Sequence, residues 1–280
     1  METMERPYPL ADLELARRLE RTEGLTSARF VETKARVNPA SGAAGSEIAG
    51  TFAMFDGATS PLTQTFGLGM AGPVQAADLE RLEQFFTSRG APVFHEVCPL
   101  AGVEAMATLA ERGYRPIEFT SVMYRSIYAG LKLGRPVNER IGVRRVKSAE
   151  HETWVATAAE GWREAGDFTA LMRDVIGVFA HCDCWTPFLA EQGGQPIAAG
   201  ALSIIDGVAL LAGASTIPAA RQQGAQLALL ETRLRFAAEH GCDLAMMGAT
   251  PGSGSQRNAE RHGFRIAYTR VKWRQGSVTT

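Results

Sequence analysis

Cysteine is scarce in this 280-residue chain, and the four present are scattered at Cys98, Cys182, Cys184 and Cys242. So few cannot build the cross-linked framework that replaces a core in small secreted domains. Excess charge is also absent. The 29 basic and 30 acidic side chains leave a net charge of −1, which gives no electrostatic reason to expect nucleic acid or an anionic membrane as partner. No apolar run approaches the roughly 18 residues of a membrane span. The opening Met1-Glu2-Thr3-Met4-Glu5-Arg6 and the amphipathic stretch 13–20 lack the apolar core of a signal peptide. The expectation is a cytoplasmic protein. Its 45% hydrophobic and 21% charged residues are ordinary for a globular chain, long enough for two domains of about 140 residues.

What the chain does have is a near-repetition of itself. Ala49-Gly50-Thr51-Phe52-Ala53-Met54-Phe55-Asp56-Gly57 aligns with Ala199-Gly200-Ala201-Leu202-Ser203-Ile204-Ile205-Asp206-Gly207. Ala110-Glu111-Arg112 and Phe119–Arg125 align with Ala259-Glu260-Arg261 and Tyr268–Arg274, and Gly90 aligns with Gly241. The registers agree to within two residues of one another. Two similar domains in tandem follow: a first copy over 1–127, a linker over 128–140 containing Gly130, Gly134 and Pro136, and a second copy over 141–280.

In the second copy, Ile141–Val146 reads as a strand, and Ser148 with Glu150 and Glu152 as a capped helix start continuing through Trp154 to Trp162. Another helix is expected over Thr169–Ala180, and a strand over Trp185–Glu191. Ile197–Ile205 and Val208–Thr216 form a hairpin about Asp206-Gly207. A long helix over 224–240, with Leu227, Leu230 and Leu234 on one face, ends at Gly241. Asp243–Ala249 is a buried strand, Ser255–His262 a short helix, and Phe264–Trp273 a last strand. The fold class is α+β: in each copy a mixed, mostly antiparallel sheet flanked by helices, with one strand–helix–strand crossover.

The turn between Val208–Thr216 and the long helix reads Arg221-Gln222-Gln223-Gly224-Ala225-Gln226. A helix N-terminus offers unpaired N–H groups and a partial positive charge, glycine lets an anion approach the backbone, and Arg221 adds a charge-assisted contact. A diphosphate is the natural guest, although any tight turn that needs glycine could read the same way. The order of elements around Arg-x-x-Gly-x, with Gly263-Phe264 after the last helix, resembles the acetyl-CoA-dependent N-acetyltransferase (GNAT) superfamily. The resemblance covers the whole second copy, and a degenerate form covers the first. It implies tandem GNAT-like domains with acetyl-CoA as co-substrate. Arg221, Gln222, Gln223, Gly224, Ala225 and Gln226 would hold the pyrophosphate, and the backbone of Ala214, Ser215 and Thr216 the pantetheine arm. Gln226 departs from the small residue usual in the family, so its side chain must turn away from the phosphates or bond one. The matching stretch of the first copy, Phe66–Asp78, has no Arg-x-x-Gly, and Pro73 and Asp78 disfavour an anion.

The acetyl group would pass to a primary amine of a small molecule, by direct transfer in a ternary complex. Its catalytic residues are not legible. The family's tyrosine acid, four residues before Gly-Phe, is replaced by Ala259. Ser255 and Asn258 are the nearest polar candidates to face the thiol, with simple helix capping the blander role for Ser255. Glu164 and Asp167, in the region that shapes the family's acceptor pocket, are either amine-attracting or plain solvated acids. His181-Cys182-Asp183-Cys184 lacks the spacing of a metal site, and none is expected. Arg257, Arg261, Arg265, Arg270, Lys272 and Arg274 read as a solvated basic face, with Arg257 and Arg261 open to a 3′-phosphate. Two alternatives stand beside the enzyme, a non-catalytic acyl-CoA binding or sensing protein and a scaffold for oligomerisation; for assembly, a homodimer is considered.

Overall fold

The computed structural model describes residues 8–131, 138–165, 177–178 and 181–276. Most of the linker, Asp167 and nearly all of the helix expected over Thr169–Ala180 lie outside the described residues. In chain order the described helices are α1 (Leu13–Val37), α2 (Ala76–Thr87), α3 (Val103–Glu111), α4 (His151–Gly161), α5 (Ala225–Glu239) and α6 (Gly254–Arg261). The strands are β1 (Ala44–Ile48), β2 (Thr51–Phe55), β3 (Gln64–Phe66), β4 (Phe94–Val97), β5 (Tyr114–Ser126), β6 (Ile141–Arg145), β7 (Thr186–Gln192), β8 (Gln195–Ile205), β9 (Val208–Thr216), β10 (Leu244–Ala249) and β11 (Arg265–Gln275).

Two compact units are present. One comprises Pro9–Tyr124 with Gly248–Thr280, the other Arg125–Met247 with Met1–Tyr8. The end of the second copy, α6 and β11, belongs to the unit built mainly by the first.

In that first unit the sheet order is β1-β2-β3-β4-β11-β5. Leu79, Leu82 and Phe86 of α2 are wholly buried against Ile48, Ala53 and Phe55, with Leu68, Val93, Val97 and Leu109 in the same cluster. Asp12 opens α1, its carboxylate accepting from the Leu15 N–H at 3.0 Å. The repeated pieces are not equivalent everywhere. Ala49-Gly50 is a left-handed turn (φ 48° and 77°), whereas its counterpart Ala199-Gly200 lies inside β8. Asp56 is buried with its carboxylate 2.6 Å from Lys34, whereas Asp206 is exposed in a hairpin turn.

The supposed basic face is partly a buried ionic layer, which corrects the sequence reading. Arg270 is 1% exposed; it donates to Glu20 at 2.9 Å and Glu23 at 2.8 Å and lies over the Phe66 ring. Burial opposes its charge, but Glu20 and Glu23 hold its pKa well above the ordinary value. Burial likewise raises Glu20, against the pull of Arg270. Lys272 approaches Glu96 at 3.7 Å. Burial pushes the Glu96 carboxyl up to about 7, with Arg270 and Lys272 opposing the shift. The neighbouring His95 bonds Thr65 at 2.8 Å, and burial pushes its imidazole down to about 3.

These groups give the fold a pH dependence whose sign can be worked out. Below the ordinary Glu value of 4.5 the Glu96 carboxyl carries its proton folded or unfolded. As pH rises to about 7 the unfolded chain releases that proton first, so stability falls across this window. Glu96→Gln removes the loss while leaving His95 in both proteins. Urea unfolding at pH 4 and pH 8 should show the variant gaining on the parent by on the order of 3 kcal/mol at the higher pH. Parallel pH profiles would refute it.

In the second unit the sheet order is β10-β9-β8-β7-β6. Asp206 (φ 47°) and Gly207 (φ 78°) make the left-handed two-residue turn that matches strand twist. Helix α5 connects β9 to the parallel β10, the expected crossover. Arg144 of β6 ties three segments together, donating to Glu191 on β7 at 2.7 Å and to Glu150 before α4 at 2.7 Å. Ser148 opens a short 3-10 turn without capping it; the Glu150 carboxylate accepts from the Lys147 N–H instead.

Candidate functional site

The second unit gathers its unusual backbone at the end of β9. β9 pairs with β10 only from Val208 to Leu210, against Leu244 to Met246, leaving Leu211–Thr216 without a strand partner on that side among the described pairings. On the other side the β8–β9 register shifts between Ala199↔Ser215 and Ala201↔Ala212. Gly200 on β8 therefore faces both Gly213 and Ala214, a bulge whose first residue, Gly213, is left-handed at φ 63°. Of the three residues expected to meet a pantetheine arm, Ser215 and Thr216 pair regularly with β8, and Ala214 sits in the bulge. The Ser215 hydroxyl donates to the Ala158 carbonyl of α4 at 3.1 Å.

The chain then turns into α5. Gln222 (φ 63°) and Gly224 (φ 96°) are both left-handed, a conformation that favours glycine at 224 and strains a side chain at 222. Gly224 is the N-cap, without a side-chain cap, and the first turn of α5 carries no acidic residue. Among the described residues no side chain is seen capping the opening amides of the helix. The Gln223 carbonyl accepts from Asn138 Nδ2 at 3.0 Å, and Ala225 is buried. Gln226 folds back to donate to Thr216 Oγ1 at 2.7 Å. Arg221 is exposed and forms an ion pair with Glu164. A cationic side chain, an uncapped helix start and a half-free strand edge are thus collected on one connection. That arrangement suits an anion followed by an extended, amide-bearing chain.

The first unit's counterpart is arranged differently. Asp78 occupies the first turn of α2 and pairs with Arg81 at 3.3 Å. Leu68 and Met70 of the preceding loop are buried, and the Met70 carbonyl accepts from Arg17 at 2.8 Å.

Ser255 and Asn258 lie on α6, in the first unit. Ser253, not Ser255, caps that helix, accepting from the Gln256 N–H at 3.2 Å. Ala259 is 2% exposed. Cys182 and Cys184 are joined in a local disulfide, while Cys98 and Cys242 are free and buried. Among the described residues no cluster of three metal-ligating side chains forms. No helix among them is long and apolar enough to cross a membrane.

Sequence reasoning missed Arg233. The buried stripe of α5 is Ala225, Ala228, Leu229, Leu230, Arg233, Leu234 and Ala237, with Leu227 only half-buried. A cation is embedded in the apolar face. The bulge was missed too, although an isolated glycine in a strand pattern is its signal.

An uncapped helix start following a bulged, half-free strand is the distinguishing feature of the second unit. Residues 147–264 match the Acetyltransferase (GNAT) family. They carry a GNAT domain, and the chain has the fold of a tandem GNAT protein. A GCN5-related N-acetyltransferase from Kribbella flavida superimposes with a TM-score of 0.62 at 19% identity, over 90% of this chain and 96% of that one. A tandem GNAT protein of the clavulanic acid biosynthesis pathway gives 0.56 at 12% identity, over 80% and 77%. A putative acetyltransferase of the GNAT family from Novosphingobium aromaticivorans gives 0.52 at 16%, over 90% and 99%. No curated protein matches in sequence. GNAT proteins bind acyl-CoA and transfer its acyl group.

Proposed function

We propose that this protein is an N-acetyltransferase that binds acetyl-CoA in its second unit and acetylates a primary amine of a small molecule. The observation that carries the reading is the uncapped start of α5 at Gly224, set directly after the bulged end of β9. The pyrophosphate rests at Arg221–Gln226, and the pantetheine arm lies along Ala214–Thr216 as an added strand. The neutral amine attacks the thioester carbonyl carbon, and a C–N bond forms as negative charge gathers on the oxygen. Collapse breaks the C–S bond, sulfur leaving with the electron pair. The proton shed by the new ammonium ends on that thiolate, giving amide and free CoA. Bulge amides are the natural donors to the oxyanion.

A second reading, an acyl-CoA sensor without turnover, is favoured by Ala259, which is buried and has no proton to give. Thiol release from acetyl-CoA across a library of primary amines separates the two. The enzyme is expected to release CoA with at least one amine well above the hydrolysis rate. Tight acetyl-CoA binding with no amine-dependent thiol would establish the sensor.

A further inference from the structure

We propose that Arg233 is a positioning residue that fixes the β9 bulge from beneath, so that the bulge amides present a set face to the acyl carbonyl. The inference rests on the acyl-CoA reading above and adds to it a residue that does not touch the ligand.

Arg233 is 4% exposed and has no carboxylate among the described ion pairs. Burial alone pushes its pKa down to about 10. An unpaired buried cation is poor value for stability, since the stripe it interrupts would accept an apolar side chain of the same length. Its contacts are with backbone instead. Nε donates to the Leu229 carbonyl at 3.2 Å, and one terminal nitrogen donates to Ala201 O at 3.0 Å and Ala212 O at 3.4 Å.

Ala201 and Ala212 are the first regular pair after the register shift. The guanidinium therefore grips both strands where the ladder fails, and Trp154 Nε1 takes the adjacent Gly200 carbonyl at 3.3 Å. Gly200 itself is confined by the same group, because a Cβ there would stand 3.2 Å from the Arg233 nitrogen. Carbonyls released by a bulge need donors, and here side chains of two helices supply them. A cation bonded to the Ala212 oxygen also polarises that peptide group, strengthening the Gly213 N–H as a donor. The arrangement spends a buried charge on the aim and strength of the bulge amides.

The test uses the whole chain with two probes, CoA and acetyl-CoA labelled with 13C at the carbonyl. Calorimetry gives the CoA affinity, and the carbonyl resonance of the bound thioester reports hydrogen bonding at the oxygen. Arg233→Met is expected to stay folded, keep its CoA affinity and lose the bound-state carbonyl shift. Arg233→Lys, which keeps the cation but not the fork, is expected to show a reduced shift, and it decides the matter should the Met variant not fold. A folded variant whose carbonyl shift is unchanged overturns the inference. So does one in which CoA affinity and carbonyl shift fall together, since that signals general deformation. Failure of the unaltered protein to bind CoA is a different result: it removes the acyl-CoA reading, and this inference with it.

Discussion

Acetyl-CoA binding should fall at least about 100-fold, close to 3 kcal/mol, when Gly224→Asp is combined with Arg221→Ala. Position 224 is left-handed at φ 96° and is the N-cap of α5. A carboxylate there would accept from the helix amides that are now uncapped, and its charge would oppose the diphosphate. Arg221 contributes the adjacent positive charge, engaged by Glu164 in the ligand-free protein. Aspartate is a favourable helix cap, which offsets part of the backbone strain, so binding should suffer far more than folding. Isothermal titration with acetyl-CoA checks this alongside a melting curve. Unchanged affinity in the folded double variant would show that the turn is not the phosphate site.

The largest stability effect should come from Arg270→Ala, a loss of about 3–5 kcal/mol. The guanidinium is the common partner of Glu20 and Glu23 and also lowers the cost of burying Glu96. Its removal leaves Glu20, 1% exposed, with Tyr268 as its bonded partner at 2.7 Å. The deficit lies in stranded charge rather than lost packing, so Arg270→Met combined with Glu20→Gln should recover much of it. Urea unfolding of the parent, single and double variants decides the point; a single variant within about 0.5 kcal/mol of the parent would rule out an energetic role for the layer.

Local chemistry was well read from the sequence. β9 falls over Val208–Thr216 as expected, and α5 lies within the anticipated 224–240. Gly90 and Gly241, matched in the repeat, both end helices at positive φ (68° and 81°). Each of these rests on a few neighbouring residues whose backbone preferences are strong. The errors share another cause. Ser148 was expected to cap and does not, because the helical turn starts one residue earlier, with Lys147 at its N-cap and Ser148 inside it. Leu227 was placed in the buried stripe of α5, and Arg233 was not considered for it. Arg270 reads like its exposed neighbours along the chain, yet it is buried by α1, some 250 residues away.

Unaided, the order of amino acids established the duplication, the α+β class and the strand–turn–helix at Arg221–Gln226, because periodicity, turn formers and glycine positions act over short spans. Only the folded chain could decide that the last helix and strand join the first copy's unit. It alone revealed the bulge opposite Gly200 and the cation beneath it. Burial and register depend on which distant segments meet, and no local preference encodes that.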